Sequence, residues 1–192
     1  MDTYNILKKI CLNRKSLRNF SDKEISADDI KKIFDIAYTS PYASGKNKWE
    51  IEVVTDKLLI KQIAELVKAK ALELKNEIDE EFKESFFQYS KNFYFFEKAP
   101  VILVPTFRPV SVFSMMSKKY ENKSVQQWER DNYTKSISCV AMLILLAAES
   151  IGIGACYMTG PLIAQNEIVN LISSKKGREI GAFIPIAYKN NK

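Results

Sequence analysis

Residues 147–162 read Ala147-Ala148-Glu149-Ser150-Ile151-Gly152-Ile153-Gly154-Ala155-Cys156-Tyr157-Met158-Thr159-Gly160-Pro161-Leu162. The stretch changes character twice. Up to Ala148 it closes an apolar run that begins at Ile137. Such a run reads as a helix buried on most of its surface, expected over about Thr134 to Ser150. Glycine disfavours a helix interior, so Gly152 and Gly154 end it. Ala155 to Met158 then reads as a short strand. The run from Ile137 to Ala148 is too short for a membrane span.

The pattern extends outward in both directions. Downstream, a helix is expected from about Gln165 to Ser173 and a closing strand from Ala182 to Tyr188. Pro185 lacks a backbone N–H, which argues for an edge or irregular place for that strand. Upstream, Val101 to Val104 is a strand between two prolines. Asp56 is placed to cap a long charged helix through about Glu80, and Trp49 to Val54 precedes it as a strand. Ser26 is a good N-cap, with Asp29 in the first turn to complement the helix dipole. Ile30, Ile33, Phe34, Ala37 and Tyr38 follow at helical spacing until Pro41. Thr3 is placed to cap a first helix with Ile6, Leu7, Ile10 and Cys11 on one face. Helices with interspersed strands read as α+β or α/β, one sheet inside a helical shell. No repeat or low-complexity linker divides the chain, so 1–192 is expected to form one domain.

Composition excludes several chemistries. The 192 residues contain no histidine, which removes a Ser-His-Asp triad, a Cys-His pair, an HExxH metal site and a histidine base together. Cys11, Cys139 and Cys156 form no CxxC pair, so neither a disulfide framework nor a zinc site is expected. Reduced thiols and an opening segment without the apolar stretch of a secretory signal point to a cytoplasmic protein. The net charge of +6 is spread without a dense basic block interleaved with aromatics, so no nucleic-acid partner is expected. A solvated lysine-rich surface explains it, and attraction to anionic ligands such as nucleotides is the sharper reading. An enzyme with these residues takes its hard chemistry from a cofactor.

Three segments can carry a ligand. In the extended run Arg14-Lys15-Ser16-Leu17-Arg18, alternate residues share a side, so Arg14, Ser16 and Arg18 face one way and Leu17 the other. Two forked guanidinium groups suit a phosphate and a ring where negative charge gathers on reduction. The loop Ser40-Pro41-Tyr42-Ala43-Ser44-Gly45-Lys46-Asn47-Lys48-Trp49 is small enough to approach a ligand closely. The glycines of 152–160 free backbone N–H groups, although their G-x-G-x-x-x-x-x-G spacing is not a dinucleotide fingerprint. Taken singly, each has a plain structural reading as a surface turn or connection. Phe86, Phe87, Tyr89, Phe93, Tyr94, Phe95 and Phe96 crowd the irregular stretch 81–135. They read as core or subunit interface, with a wall over a flat aromatic ligand as the functional alternative.

In order and spacing, the basic R-x-S-x-R run, the S-P-…-N-x-W loop and the A-A-E-S-I-G-I-G-A-C-Y-M-T-G-P-L segment resemble the nitroreductase family. Ile184-Pro185-Ile186-Ala187-Tyr188 resembles that family's closing strand. The resemblance implies an α+β three-layer sandwich, a central mostly antiparallel sheet within helices, in an intertwined homodimer. It implies FMN at the dimer interface, NADH or NADPH as donor, and a hydride passed through flavin N5 to a nitroaromatic, quinone or similar small-molecule acceptor by ping-pong exchange. A flavin-sequestering protein of the same fold is the alternative. By position, Arg14, Lys15 and Ser16 should hold the phosphate and ribityl chain, and Arg18 should lie near N1 and O2 of the ring. Pro41, Tyr42, Ala43, Gly45 and Asn47 should line the flavin from the partner subunit. The backbone of Met158, Thr159 and Gly160 should meet the N5 and O4 edge, and Lys189 is a further phosphate candidate.

Overall fold

A computed structural model describes residues 2–43, 49–110, 116, 123–173 and 175–189. The elements run α1 (Thr3–Asn13), α2 (Ala27–Ala37), β1 (Trp49–Val54), α3 (Lys57–Glu77), α4 (Glu80–Ser90), β2 (Val101–Phe107), α5 (Lys123–Ser150), β3 (Ile153–Ala155), α6 (Gln165–Ile172), β4 (Glu179–Ile180) and β5 (Ile184–Tyr188). The strands form one antiparallel sheet in the order β1-β2-β5-β3, with β4 paired to β2 off that path.

Every residue of β2 is buried, and its side chains alternate between two cores. Val101 and Leu103 join Ile33 and Ala37 of α2 and Ile137, Val140, Ile144 and Ala148 of α5. Ile102 and Val104 join Ile60, Ile63 and Val67 of α3 and Ile168 of α6. The sheet is therefore the middle of three layers, as the α+β expectation required.

Local chemistry sets the helix boundaries. Ser26 Oγ accepts the Asp29 N–H at 3.1 Å, and Asp56 Oδ1 accepts from Leu58 and Leu59, as the sequence predicts. Four expectations need correction, besides the strand expected over Ala155 to Met158, which runs Ile153–Ala155 and leaves Met158 only an isolated bridge to Phe183. The cap of α1 is Asp2, whose carboxylate accepts the Asn5 N–H at 2.8 Å, so the helix begins at Thr3. The long charged helix ends at Glu77. Ile78 is extended, and Glu80 and Glu81 favour a fresh N-terminus for α4. The buried helix already includes Lys123, well before Thr134, where a polar stretch supported by the Gln127–Asp131 bond precedes its apolar part. Its length and hydropathy alone would allow a membrane crossing, but Ile137, Val140, Ile144 and Ala148 are spent on the sheet.

The fourth correction concerns Pro185, which lies in β5 between β2 and β3 and not at an edge. Its carbonyl accepts from Cys156 N at 3.1 Å. In a strand, a residue's N and C=O point to one side, so the missing N–H faces β3 just beyond Ala155, where that strand ends. Pro105 repeats the arrangement. Its carbonyl accepts from Gly181 N at 2.8 Å, beside the gap between β4 and β5. Each proline spends its lost donor where the ladder is already interrupted.

The apolar face expected on α1 is present but uncovered. The helix buries no residue, and Ile6 and Leu7 are 44% and 54% exposed.

Replacing Ser26 by Ala should destabilise the fold by about 1 kcal/mol. Urea unfolding is the measurement, with a lowered midpoint and unchanged slope as the expected result.

Candidate functional site

The basic run lies along the open side of β3. Ser16 forms a parallel bridge with Ala155, and Leu17 N donates to Ala155 O at 3.0 Å. Leu17 turns inward onto Gly154, where an added Cβ would sit 2.7 Å from Leu17 Cδ2. A side chain at position 154 would have to displace Leu17. Docked this way, Ser16 and the charges of Arg14 and Arg18 all act on the buried Cys156 thiol. Burial pushes that thiol above its ordinary range, against the Ser16 hydrogen bond and the two cations, which favour the thiolate. The fold therefore brings together two segments far apart in sequence, 14–18 and 153–160.

The glycine segment itself is fixed at both ends. Met158 N donates to Phe183 O and Phe183 N donates to Met158 O, each at 2.9 Å. Both backbone groups of Met158 are spent on the sheet. Thr159 and Gly160 open a short 3-10 turn (Gly160–Ala164), and no acceptor for their N–H groups is seen among the described residues. At Gly160 an added Cβ would fall 2.3 Å from the Phe93 ring. Phe93 is in turn held edge-on by Tyr89 at 5.3 Å and Phe86 at 6.3 Å. The aromatic crowd of the irregular region therefore includes a wall seated on this loop. Residue spacing gave no signal for that contact.

The remaining candidates lie apart. Ala43 N donates to Ser136 Oγ of α5 at 3.1 Å, and the Tyr42 ring packs against Trp49 and Tyr133. Tyr42 and Ala43 pack on the α2/α5 core, whereas Cys156 and Met158 belong to the α3/α6 core on the other face of the sheet. Pro41, Tyr42 and Ala43 line an open cavity of about 420 Å³ with Asn132, Lys135, Ser136 and Cys139. The Tyr42 hydroxyl is buried without a hydrogen-bond partner among the described residues, and burial holds the phenol protonated well above its usual range. Gly45 and Asn47 lie outside the described residues. Lys189 is held by Glu149, with Nζ 2.6 Å from both carboxylate oxygens. Lys15 is exposed, with no ion pair among the described residues.

Comparison with known proteins follows the same lines. The model of the family described as Nitroreductase family matches residues 11–188. A protein of Archaeoglobus fulgidus, "Putative NADH dehydrogenase/NAD(P)H nitroreductase", is 37% identical over 57 residues, 30% of this chain and 33% of that protein. The chain thus matches about a third of that relative's length. Among solved structures, a BluB-like flavoprotein from Clostridium difficile 630 superposes with a TM-score of 0.85 at 21% identity, over 97% of this chain and 91% of that one. A nitroreductase with bound FMN from Desulfitobacterium hafniense DCB-2 gives 0.71 at 18% identity, over 98% and 91%. At these identities the two structures establish the fold.

Among the three thiols, Cys156 should be the slowest to react with a disulfide reagent at neutral pH, because it is both buried and protonated. A time course on the folded protein, with Cys156→Ser to assign the slow phase, checks this. A Cys156 as fast as Cys139 would contradict the geometry.

Proposed function

The chain belongs to the nitroreductase family, and on that footing we propose that it is an FMN-dependent oxidoreductase that takes reducing equivalents from NADH or NADPH. The observation that carries the reading is the docking of Arg14, Ser16 and Arg18 on β3, beside a loop whose Thr159 and Gly160 N–H groups are open among the described residues. This donor set fits FMN: cations for the phosphate, a hydroxyl for the ribityl chain, and N–H donors for a heteroaromatic edge.

The chemistry FMN supplies when bound is hydride exchange at N5, from NAD(P)H to a nitroaromatic, quinone or similar acceptor by ping-pong alternation. In this reading Arg14, Lys15 and Ser16 hold the phosphate and ribityl chain. Arg18 faces N1 and O2, where a fixed cation stabilises the negative charge of reduction. Thr159 and Gly160 donate to the N5 and O4 edge. Met158 serves by anchoring them, since its own backbone groups are spent. Lys189, already paired with Glu149, reaches a phosphate only by sharing. No side chain is needed as a general base, in keeping with a chain without histidine.

A homodimer completes the site. Tyr42 and Ala43 pack on the opposite face of the sheet from Cys156 and Met158, which supports a reading in which the loop, with Pro41, Gly45 and Asn47, reaches the flavin from a second copy. The uncovered apolar face of α1 supports that association. Free thiols fit a cytoplasmic setting.

Purified protein should be yellow, bind FMN, and oxidise NADH or NADPH in the presence of a nitroaromatic or quinone. A colourless preparation that takes up no added FMN sinks the proposal, and colour without turnover points to a flavin-holding protein. Arg14→Ala should weaken FMN binding about tenfold. Arg18→Ala should slow flavin reduction by about 10- to 100-fold, more than it weakens binding; unchanged reduction removes its role.

A further inference from the structure

A second cavity opens beside the basic run. It encloses about 380 Å³ and is floored by Ile60 of α3 with Ala99 and Pro100 before β2. Phe20 forms one wall, its ring stacked in parallel on Phe95 at 6.0 Å with 9° between planes. Lys57 and Lys98 also line it, both exposed, and among the described residues neither has a carboxylate partner. Of the two acids lining the cavity, Glu97 is bound to Lys68 at 2.8 Å. Asp22 remains as the one carboxylate there without an ion pair among the described residues.

The chemistry of this cleft is that of a ligand with a flat aromatic part and a negative charge. Ligand sites of this size are mostly apolar with a few placed charges. An aromatic wall accepts a stacked base, and two unpaired ammonium groups against one carboxylate favour a phosphate. Place in the chain identifies the ligand further. Phe20 follows Arg18 by two residues, so their Cα atoms are at most about 7 Å apart. A donor whose nicotinamide meets the flavin beside Arg18 has its other half to place nearby.

We propose that the cleft walled by Phe20, Lys57 and Lys98 binds the phosphate-bearing adenylate half of the nicotinamide dinucleotide, stacking the base on Phe20 and pairing its phosphates with the two lysines. The inference rests on the flavin oxidoreductase reading above. Binding energy gained at this remote part of the donor holds the reacting end in place.

The test compares donors with and without that half. Steady-state KM is measured for NADH, for NADPH and for 1-benzyl-1,4-dihydronicotinamide, which has neither phosphate nor adenine. In the FMN-loaded Lys57→Gln/Lys98→Gln protein, the ratio of dinucleotide KM to benzyl-donor KM should rise about tenfold. The rise should shrink with added salt. Phe20→Leu, which keeps an apolar wall without the aromatic face, should raise the same ratio, and Asp22→Asn should lower it. Flavin reduced by all donors with the ratio unmoved by every variant would overturn the inference and leave the oxidoreductase reading standing. Flavin reduced by none of the donors removes both.

Discussion

The complete burial of β2 governs the architecture. A strand without a solvent-facing residue must be covered on both faces, and its alternating side chains divide the hydrophobic content between two cores. Helices α2 and α5 close one side, and α3 and α6 close the other. Neither core is optional, since an uncovered β2 face would expose Ile102 and Val104 or Val101 and Leu103 to water. The same constraint explains a proline-containing strand at the centre of the sheet. Ile184, Pro185, Ile186 and Ala187 are buried, and a fully apolar strand has no place at a solvent edge.

Much of this was legible in residue order. Ser26 and Asp56 announced helix starts because a short polar side chain ahead of an apolar period satisfies otherwise orphaned N–H groups. Gly152, with φ of +80°, marked the turn from the buried helix into β3. What escaped were boundaries set by polar residues. The first part of α5 carries Trp128, Glu129 and Arg130, whose reason for being helical is its continuity with the apolar part. Pro185 misled because local rules count a missing donor as a loss wherever it falls. The sheet turns it toward a site with no acceptor to disappoint.

The site divides in the same way. Alternation in an extended segment sent Leu17 inward, and the structure packs it onto Gly154. That this segment would lie against β3, with its charges on Cys156, depends on a contact across some 140 positions of sequence separation. The backbone commitments of Met158 were equally invisible, since they depend on where Phe183 arrives. The Phe20 cleft is assembled from three separate stretches, and only its adjacency to Arg18 is written in the chain.

The crowding at Gly160 bears on how this protein can change. Phe93 occupies the space where any side chain at that position would begin, and Leu17 does the same at Gly154. Both ends of the glycine segment are therefore held by neighbours that must shift before either is enlarged, while Tyr157 between them is 40% exposed. Variation in this loop is channelled outward, to side chains that face solvent. The scaffold so separates what must stay constant from what is free to drift: residues such as Tyr157 can be exchanged with the backbone beneath them left in register.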